Sequence, residues 1–219
     1  MNGGAVAVLV ADRPEPDVLA PLLGVPVIVR AAQGLLGSAV VGHVVVLVSP
    51  ALCDPVNRLL AGLAVSVCAD PVGAAGVVRL RSRGCAAVLV HDVARPLTPP
   101  ALAGAVTRAV ATRSVVAHGV VVPVLPLSDT VKHIDEDGLI VGSPDRAGLR
   151  VVQTPQGFRP DLLGGDRLAR VLAADPVEHA WKLVGAAAGT VPGHPLAFPM
   201  RTAWDRELAE VLAVEAVDA

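Results

Sequence analysis

Short valine-rich runs alternate with longer segments of alanine, leucine and arginine as far as Val124. Strands that are buried on both faces of a parallel sheet have continuous apolar sequences, and helices connect them. We therefore predict an α/β fold, with helices on both faces of a mostly parallel sheet. The predicted strands are Ala5 to Val10, His43 to Val48, Leu63 to Cys68, Ala86 to Val90 and Val115 to Val124, and the predicted helices are Pro26 to Leu36, Pro50 to Ala61, Gly73 to Arg83 and Pro99 to Thr112.

The alternation ends after Val124, where an extended excursion is predicted over residues 129–152. An extended run ends at Ile134, an Asp-Gly turn follows at 137–138, and residues 139–141 are apolar, which is typical of a β-hairpin. From Asp161 onward the sequence predicts mainly helix, with a closing helix from Arg201 to Val214. No linker divides the chain, so we predict one domain over residues 1–219 with 129–152 as a protruding β-arm.

Charge and composition exclude some classes of partner. The formal net charge is -2, only 2% of the residues are aromatic and none is tyrosine, so neither a basic surface nor a base-stacking platform for nucleic acid is expected. The apolar run Ala5 to Ala11 is too short to cross a membrane. We therefore expect no nucleic-acid or membrane partner.

The cysteines indicate a reducing compartment. Cys53, Cys68 and Cys85 are odd in number, and no two have the spacing of a zinc site. We expect each to be a small buried hydrophobic residue and the protein to be cytoplasmic.

The first candidate site is the segment His-Asp-Val-Ala-Arg-Pro at residues 91–96, directly after a predicted strand. In open α/β sheets ligands bind beyond the carboxyl ends of the strands, so Asp92 and Arg95 are candidates for binding or catalysis. An alternative is purely structural: Asp92 could cap a helix and Arg95 could anchor a loop.

Three further segments accompany it: residues 128–132 (Ser-Asp-Thr-Val-Lys), the pair Asp145 and Arg146, and residues 153–158 (Gln-Thr-Pro-Gln-Gly-Phe). In this order and at these separations they resemble the 2-C-methyl-D-erythritol 4-phosphate cytidylyltransferases of the non-mevalonate isoprenoid pathway. The resemblance is detailed from Val88 to Phe158 and architectural elsewhere. It implies a Rossmann-like nucleotidyltransferase fold. It also implies transfer of CMP from CTP to a polyol phosphate with release of pyrophosphate, and magnesium as cofactor.

The resemblance also assigns roles to residues. Asp92 would be catalytic and would bind the metal beside the nucleotide, while Arg95, Thr130 and Thr154 would surround the acceptor. Arg146 would be catalytic, holding the acceptor phosphate with its guanidinium. In the family this arm interlocks two copies of the chain and reaches the neighbour's site, which implies a homodimer. The alternative for Arg146 is an exposed arm residue paired with Asp145.

The loop after the first strand departs from the family pattern. Family members have a glycine-rich basic loop that holds the triphosphate, whereas residues 11–18 contain three carboxylates, two prolines and one cation, Arg13. No glycine occurs until Gly24, and the prolines remove N–H donors. Arg13 is therefore the candidate cation for CTP in an eroded donor site.

A family lysine near the C-terminus would fall at Met200, and Arg201 lies beside it. A shift of one residue on a strand would turn the Arg201 side chain to the opposite face, although Arg201 remains a candidate substrate-binding residue. Two functional hypotheses follow. The chain is either a working or weakened cytidylyltransferase or a non-catalytic homodimeric homologue that keeps an anion site for binding or regulation.

Overall fold

In the computed structural model, residues 4–12, 17–112 and 119–215 are described. The strands are β1 (Ala5–Ala11), β2 (Pro21–Leu22), β3 (Val25–Pro26), β4 (Val41–Val48), β5 (Val65–Cys68), β6 (Ala87–Asp92), β7 (Val120–Pro126), β8 (His133–Ile134), β9 (Ile140–Gly142), β10 (Arg150–Val152), β11 (Gln156–Phe158) and β12 (Gly189–Pro192). The helices are α1 (Val27–Leu36), α2 (Cys53–Leu59), α3 (Pro71–Arg81), α4 (Pro100–Ala111), α5 (Arg167–Leu172) and α6 (Ala203–Glu215).

The central sheet has the strand order β10-β7-β11-β6-β1-β4-β5, and β12 pairs with β7. The pairs β6-β1, β1-β4, β4-β5 and β7-β12 are parallel. β11 runs antiparallel to both β6 and β7, and β10 runs antiparallel to β7. The predicted α/β architecture with a mostly parallel sheet is confirmed.

Two apolar cores lie on opposite faces of this sheet. Along β1, Ala5, Ala7 and Leu9 belong to one core, whereas Val6, Val8 and Val10 belong to the other. Side chains alternate between the faces of a strand, so a strand buried on both faces must be apolar throughout. This explains the continuous valine-rich runs that predicted the sheet.

The second half of the chain contains more sheet than the sequence predicts. β10, β11 and β12 are each three or four residues long. The segment after Asp161 consists mainly of α- and 3₁₀-helical turns, as predicted, but it also contains the unpredicted strand β12. Strands this short carry too few residues to show a period of two. Residues 113–118, where the last predicted strand begins, lie outside the described residues.

The glycine of the Gln-Thr-Pro-Gln-Gly-Phe segment is required by packing in β11. A Cβ at Gly157 would lie 2.5 Å from Val106 Cγ1 and 2.8 Å from Val110 Cγ2, both on α4. Gly157→Ala should therefore lower the free energy of unfolding by about 2 kcal/mol, measured by urea denaturation. Gly148→Ala is the matched control, since nothing lies within 4 Å of its Cβ position. Equal stability of the two variants would contradict this packing.

The predicted hairpin is present as β8 and β9, which pair with each other in a separate two-stranded sheet. Its apolar side chains are exposed, among them Ile134 and Ile140. The three cysteines are free and partly exposed, rather than buried as predicted. Among the described residues, no helix combines the length and apolar character that crossing a bilayer requires.

Candidate functional site

The candidate site lies at the carboxyl end of β6, where Asp92 is the last residue of the strand. Asp92 is in register with Val10 of β1, so the loop after β1 starts beside it. On its other side β6 pairs with β11, which begins two residues after Thr154. This arrangement joins the two sequence segments that predicted the site, and it places them at the edge of the sheet where ligands bind.

The Asp92 carboxylate is buried, and each of its oxygens accepts one hydrogen bond. Its Oδ1 accepts a hydrogen bond from the Ala94 N–H at 2.9 Å, and its Oδ2 accepts one from Arg201 Nη2 at 2.9 Å. Burial raises the Asp92 pKa above its ordinary value, and the negative charge of Glu178 adds to this, although the Ala94 N–H and the two arginines oppose it. The site therefore holds a carboxylate whose charge depends on its cationic neighbours.

Arg201 reaches the site, contrary to the expectation that a one-residue shift turns it away. The residues between Phe198 and Thr202 form a loop rather than a strand, so side chains there do not alternate between two faces. The neighbouring Met200 is buried in the core and its N–H donates to Ala94 O at 2.6 Å, while Arg201 extends towards Asp92. Arg201 thus places a cation beside the position at which the family lysine was expected.

Arg95 is buried and already paired. Its Nη2 lies 2.5 Å from Glu178 Oε1, and its Nη1 donates to Ala197 O. Burial opposes ionisation of Glu178, but the hydrogen bond and charge of Arg95, together with Arg201, hold the Glu178 pKa below its ordinary value. The structural alternative for Arg95, an arginine that anchors loops, therefore describes its contacts here.

Glu178 was not identified from the sequence. It lies near the start of the 3₁₀ segment Val177–Val184 and contacts Arg201 Nη2 at 3.2 Å as well as Arg95. A single glutamate in a segment predicted to be helical indicates a solvent-exposed side chain. No local sequence motif identifies Glu178 as part of a site. Its role depends on tertiary contacts far along the chain.

The two glutamines of residues 153–158 hold these distant segments in place. Gln153 donates to His194 O and Ala197 O and accepts from the His194 N–H. Gln156 donates to Glu178 O at 2.7 Å and accepts from the Trp181 N–H at 3.0 Å. One glutamine therefore positions the loop leading to Arg201, and the other positions the backbone of Glu178.

Thr154 and His91 form a buried pair beneath the site. The Thr154 hydroxyl lies 2.9 Å from His91 Nδ1 and accepts a hydrogen bond from the Asp92 N–H at 3.1 Å. Thr154 is fully buried, so this structure gives it a positioning contact with the Asp92 backbone. Complete burial, with the positive charge of Arg95 nearby, lowers the His91 pKa to about 3.

The depressed His91 pKa predicts loss of stability in mild acid. An unfolded histidine has a pKa near 6.5, so below this value the unfolded chain binds a proton that the folded chain excludes. Lowering the pH from 6.5 to 5 should cost on the order of 1 to 2 kcal/mol through His91 alone. The measurement is urea unfolding with EDTA at a series of pH values, for the wild type and His91→Gln. Parallel pH profiles for the two proteins would contradict the assignment.

The arm residues do not join this cluster within one chain. Arg146 is exposed, and its Nη1 donates to Ser128 O at 3.0 Å and Asp129 O at 3.2 Å rather than pairing with Asp145. Thr130 is likewise exposed at the root of the arm. Arg13 lies outside the described residues. The structure thus brings together Asp92, Arg95, Thr154 and Arg201, but neither Thr130 nor Arg146.

The donor set fits a metal that arrives with its substrate. Within the described ranges, no group of three or more His, Cys, Asp or Glu side chains could hold a metal ion. Magnesium often binds through one or two carboxylates plus substrate phosphates, and Asp92 supplies one carboxylate at the strand end. Asp92 is therefore compatible with a magnesium ion held mainly by a nucleotide.

A mostly parallel sheet with a polar cluster beyond its central strand is typical of α/β proteins that bind a ligand at the carboxyl ends of the strands. Comparison with known proteins identifies the fold as nucleotidyltransferase-like and shows the family. A model of the 2-C-methyl-D-erythritol 4-phosphate cytidylyltransferase family matches residues 10–215. The cytidylyltransferase of that name from Frankia casuarinae is 41% identical over 90% of this chain and 74% of its own length. The one from Nocardia farcinica is 38% identical over 96% of this chain and 95% of its own.

Solved structures agree with these sequence relatives. The crystal structure of the Thermus thermophilus enzyme of the same name superposes with a TM-score of 0.72 at 25% identity, covering 96% of this chain and 99% of that one. The 4-diphosphocytidyl-2C-methyl-D-erythritol synthase of Anaerococcus prevotii shares the fold with a TM-score of 0.78 at 17% identity, covering 98% and 100%. This chain belongs to the 2-C-methyl-D-erythritol 4-phosphate cytidylyltransferase family.

Proposed function

We propose that this chain transfers the cytidylyl group of CTP to 2-C-methyl-D-erythritol 4-phosphate or a similar polyol phosphate. An oxygen of the acceptor phosphate forms a bond to the α-phosphorus of CTP, while the bond from that phosphorus to the bridging oxygen of the β-phosphate breaks and pyrophosphate leaves. The observation that carries the proposal is the convergence of Asp92, Arg201 and Arg95 at the carboxyl end of β6.

These side chains suit a reaction that needs positioning and charge stabilisation more than covalent help. Magnesium, when bound with the triphosphate, neutralises its charge, and Asp92 is the residue that would hold it. Arg201 is 40% exposed, so its guanidinium can turn from the protein towards a bound phosphate. Thr154 fixes the backbone of Asp92 and so keeps the carboxylate at the strand end.

We further propose that the rate is lower than in relatives with a glycine-rich basic loop. The segment 11–18 has three carboxylates against Arg13 and two prolines without N–H donors. Each lost cation contact is worth about 1.5–3 kcal/mol, so losing two of them would slow turnover roughly a hundred-fold to ten-thousand-fold. A third cation contact, that of the family lysine near the C-terminus, is replaced by Arg201.

Pyrophosphate release with CTP, magnesium and the acceptor tests the activity, and calorimetric titration of CTP tests the donor site. We expect slow turnover and a CTP dissociation constant near the millimolar range. Turnover at an ordinary enzyme rate with micromolar CTP affinity would contradict the impairment. No turnover above background, with phosphate still bound, would favour the non-catalytic homologue. We expect the protein to act in the cytoplasm, where its free cysteines stay reduced.

We also propose a homodimer formed through the arm, with Arg146 of one chain near the acceptor site of the other. What supports it is the exposure of four apolar side chains on a hairpin that would be marginally stable alone, namely Ile134 at 63%, Leu139 at 64%, Ile140 at 67% and Val141 at 63%.

Replacing two of these side chains should separate the subunits. The double variant Ile134→Asp and Ile140→Asp should be monomeric by light scattering, because it places four charges in the interface of each dimer. Val72→Asp is the control, since Val72 is equally apolar and 68% exposed but lies on α3. A dimer that persists in the double variant would show that the arm does not hold the subunits together.

A further inference from the structure

The two arginines nearest Asp92 are both bound to a carboxylate of the protein itself. Glu178 Oε1 lies 2.5 Å from Arg95 Nη2 and 3.2 Å from Arg201 Nη2. With Asp92 included, the cluster contains two cations and two anions, so its formal charge is zero. A net positive charge favours binding of an anionic phosphate, and this cluster has none.

The contact between Glu178 and the arginines is incomplete. One oxygen of the carboxylate receives both guanidinium groups, while the buried Oε2 has no hydrogen-bond partner among the described residues. The buried Nε of Arg95 also lacks a partner within the described part of the chain. A paired fork of two parallel hydrogen bonds would satisfy more of these atoms. The carboxylate is therefore held less firmly than its burial alone implies.

The backbone around Glu178 is fixed by hydrogen bonds that do not involve its carboxylate. Its backbone carbonyl accepts a hydrogen bond from Gln156, and the same glutamine accepts from the N–H of Trp181 in the next turn. The Glu178 side chain is 14% exposed, so a rotation about its side-chain bonds can carry the carboxylate towards solvent without moving the 3₁₀ segment. Such a rotation would leave Arg95 and Arg201 facing the same space.

We propose that Glu178 is a built-in competitor for oxyanions, occupying Arg95 and Arg201 so that a phosphate binds there only when the carboxylate leaves. A phosphate has several oxygens and can give each guanidinium its own acceptor, whereas Glu178 Oε1 serves both. Because the Glu178 carboxylate must first be displaced, the site binds any anion less tightly. A higher concentration of the acceptor phosphate is therefore needed to occupy it. The inference rests on the proposed function only in taking the acceptor phosphate as the natural anion.

Calorimetric titration with inorganic phosphate tests the competition. Glu178→Gln keeps the length of the side chain and an oxygen that Arg95 can bond, but it removes the negative charge. We expect this variant to bind phosphate about tenfold or more tightly than the wild type. The control is Glu207→Gln, which changes the net charge equally at an exposed position on α6 and should bind as the wild type does.

A second pair of variants shows whether the gain in phosphate affinity depends on the arginines. In an Arg201→Ala background, Glu178→Gln should gain much less, because one of the two released cations is missing. Equal or weaker phosphate binding by Glu178→Gln would overturn the inference, as would an equal gain in Glu207→Gln. Should Glu178→Gln fail to fold, Glu178→Ala is titrated in its place with the same expectation. These measurements need no turnover, so failure of the activity assay and failure of this inference are separate results.

Discussion

Asp92→Asn should reduce magnesium-dependent pyrophosphate release about a thousand-fold, towards the background without protein. The substitution keeps the side-chain size and an oxygen that accepts from the Ala94 N–H, but it removes the charge that faces Arg201. It also removes the one carboxylate at the strand end that would hold magnesium. The fold should persist, because the hydrogen bond that orients the side chain remains.

The matched control is Asp166→Asn, which neutralises an aspartate that is 79% exposed and paired with Arg170 on the surface. Exposed pairs of this kind contribute little, so the control should turn over as the wild type does. Unfolding curves measured beside the kinetics separate loss of chemistry from loss of structure. If Asp92→Asn retained more than a tenth of the wild-type rate, Asp92 would not belong to the catalytic machinery.

The sequence predicted the parallel half of the fold well because that half obeys local rules. Strands buried on both faces must be apolar throughout, and the four strands β1, β4, β5 and β6 are each found within one or two residues of prediction. The hairpin was equally local, since its Asp-Gly turn is marked by residue type. Both signals depend on a few neighbouring residues.

The antiparallel additions to the sheet were missed for the opposite reason. β11 inserts between β6 and β7, and its three residues pair with partners more than 30 positions away along the chain. Nothing in a three-residue segment reports such pairing. Gly157 was visible in a motif, but its reason, contact with two valines of α4, appears only in the packed structure.

In the site, too, residues within local motifs were predicted, whereas residues placed by contacts distant in sequence were not. Asp92 and Thr154 were identified from motifs, and the structure joins them through the hydrogen bond from the Asp92 N–H. Arg201 was a candidate with the wrong geometry, because its segment is a loop and not a strand. Glu178 was absent from the prediction, since its partners are 83 and 23 positions away.

The pairing of Arg95 with Glu178 gives the largest expected effect on stability. Arg95→Met should lower the free energy of unfolding by about 3–5 kcal/mol, because it leaves the Glu178 carboxylate without its principal buried partner. Ala197 O would lose one donor but keep Gln153 Nε2 at 3.2 Å. Urea unfolding followed by circular dichroism measures the change, with Arg170→Met as the control at an exposed arginine.

Removing both charges of the Arg95–Glu178 pair shows whether the lost stability comes from the unpaired charge or from packing around the arginine. A buried ion pair can often be replaced by apolar side chains of similar volume at little cost, so the double variant Arg95→Met and Glu178→Met should recover most of the stability that Arg95→Met loses. If the double variant were no more stable than Arg95→Met, the loss would come from packing around the arginine. Recovery would instead show that the stability lost in Arg95→Met comes from the uncompensated buried charge of Glu178.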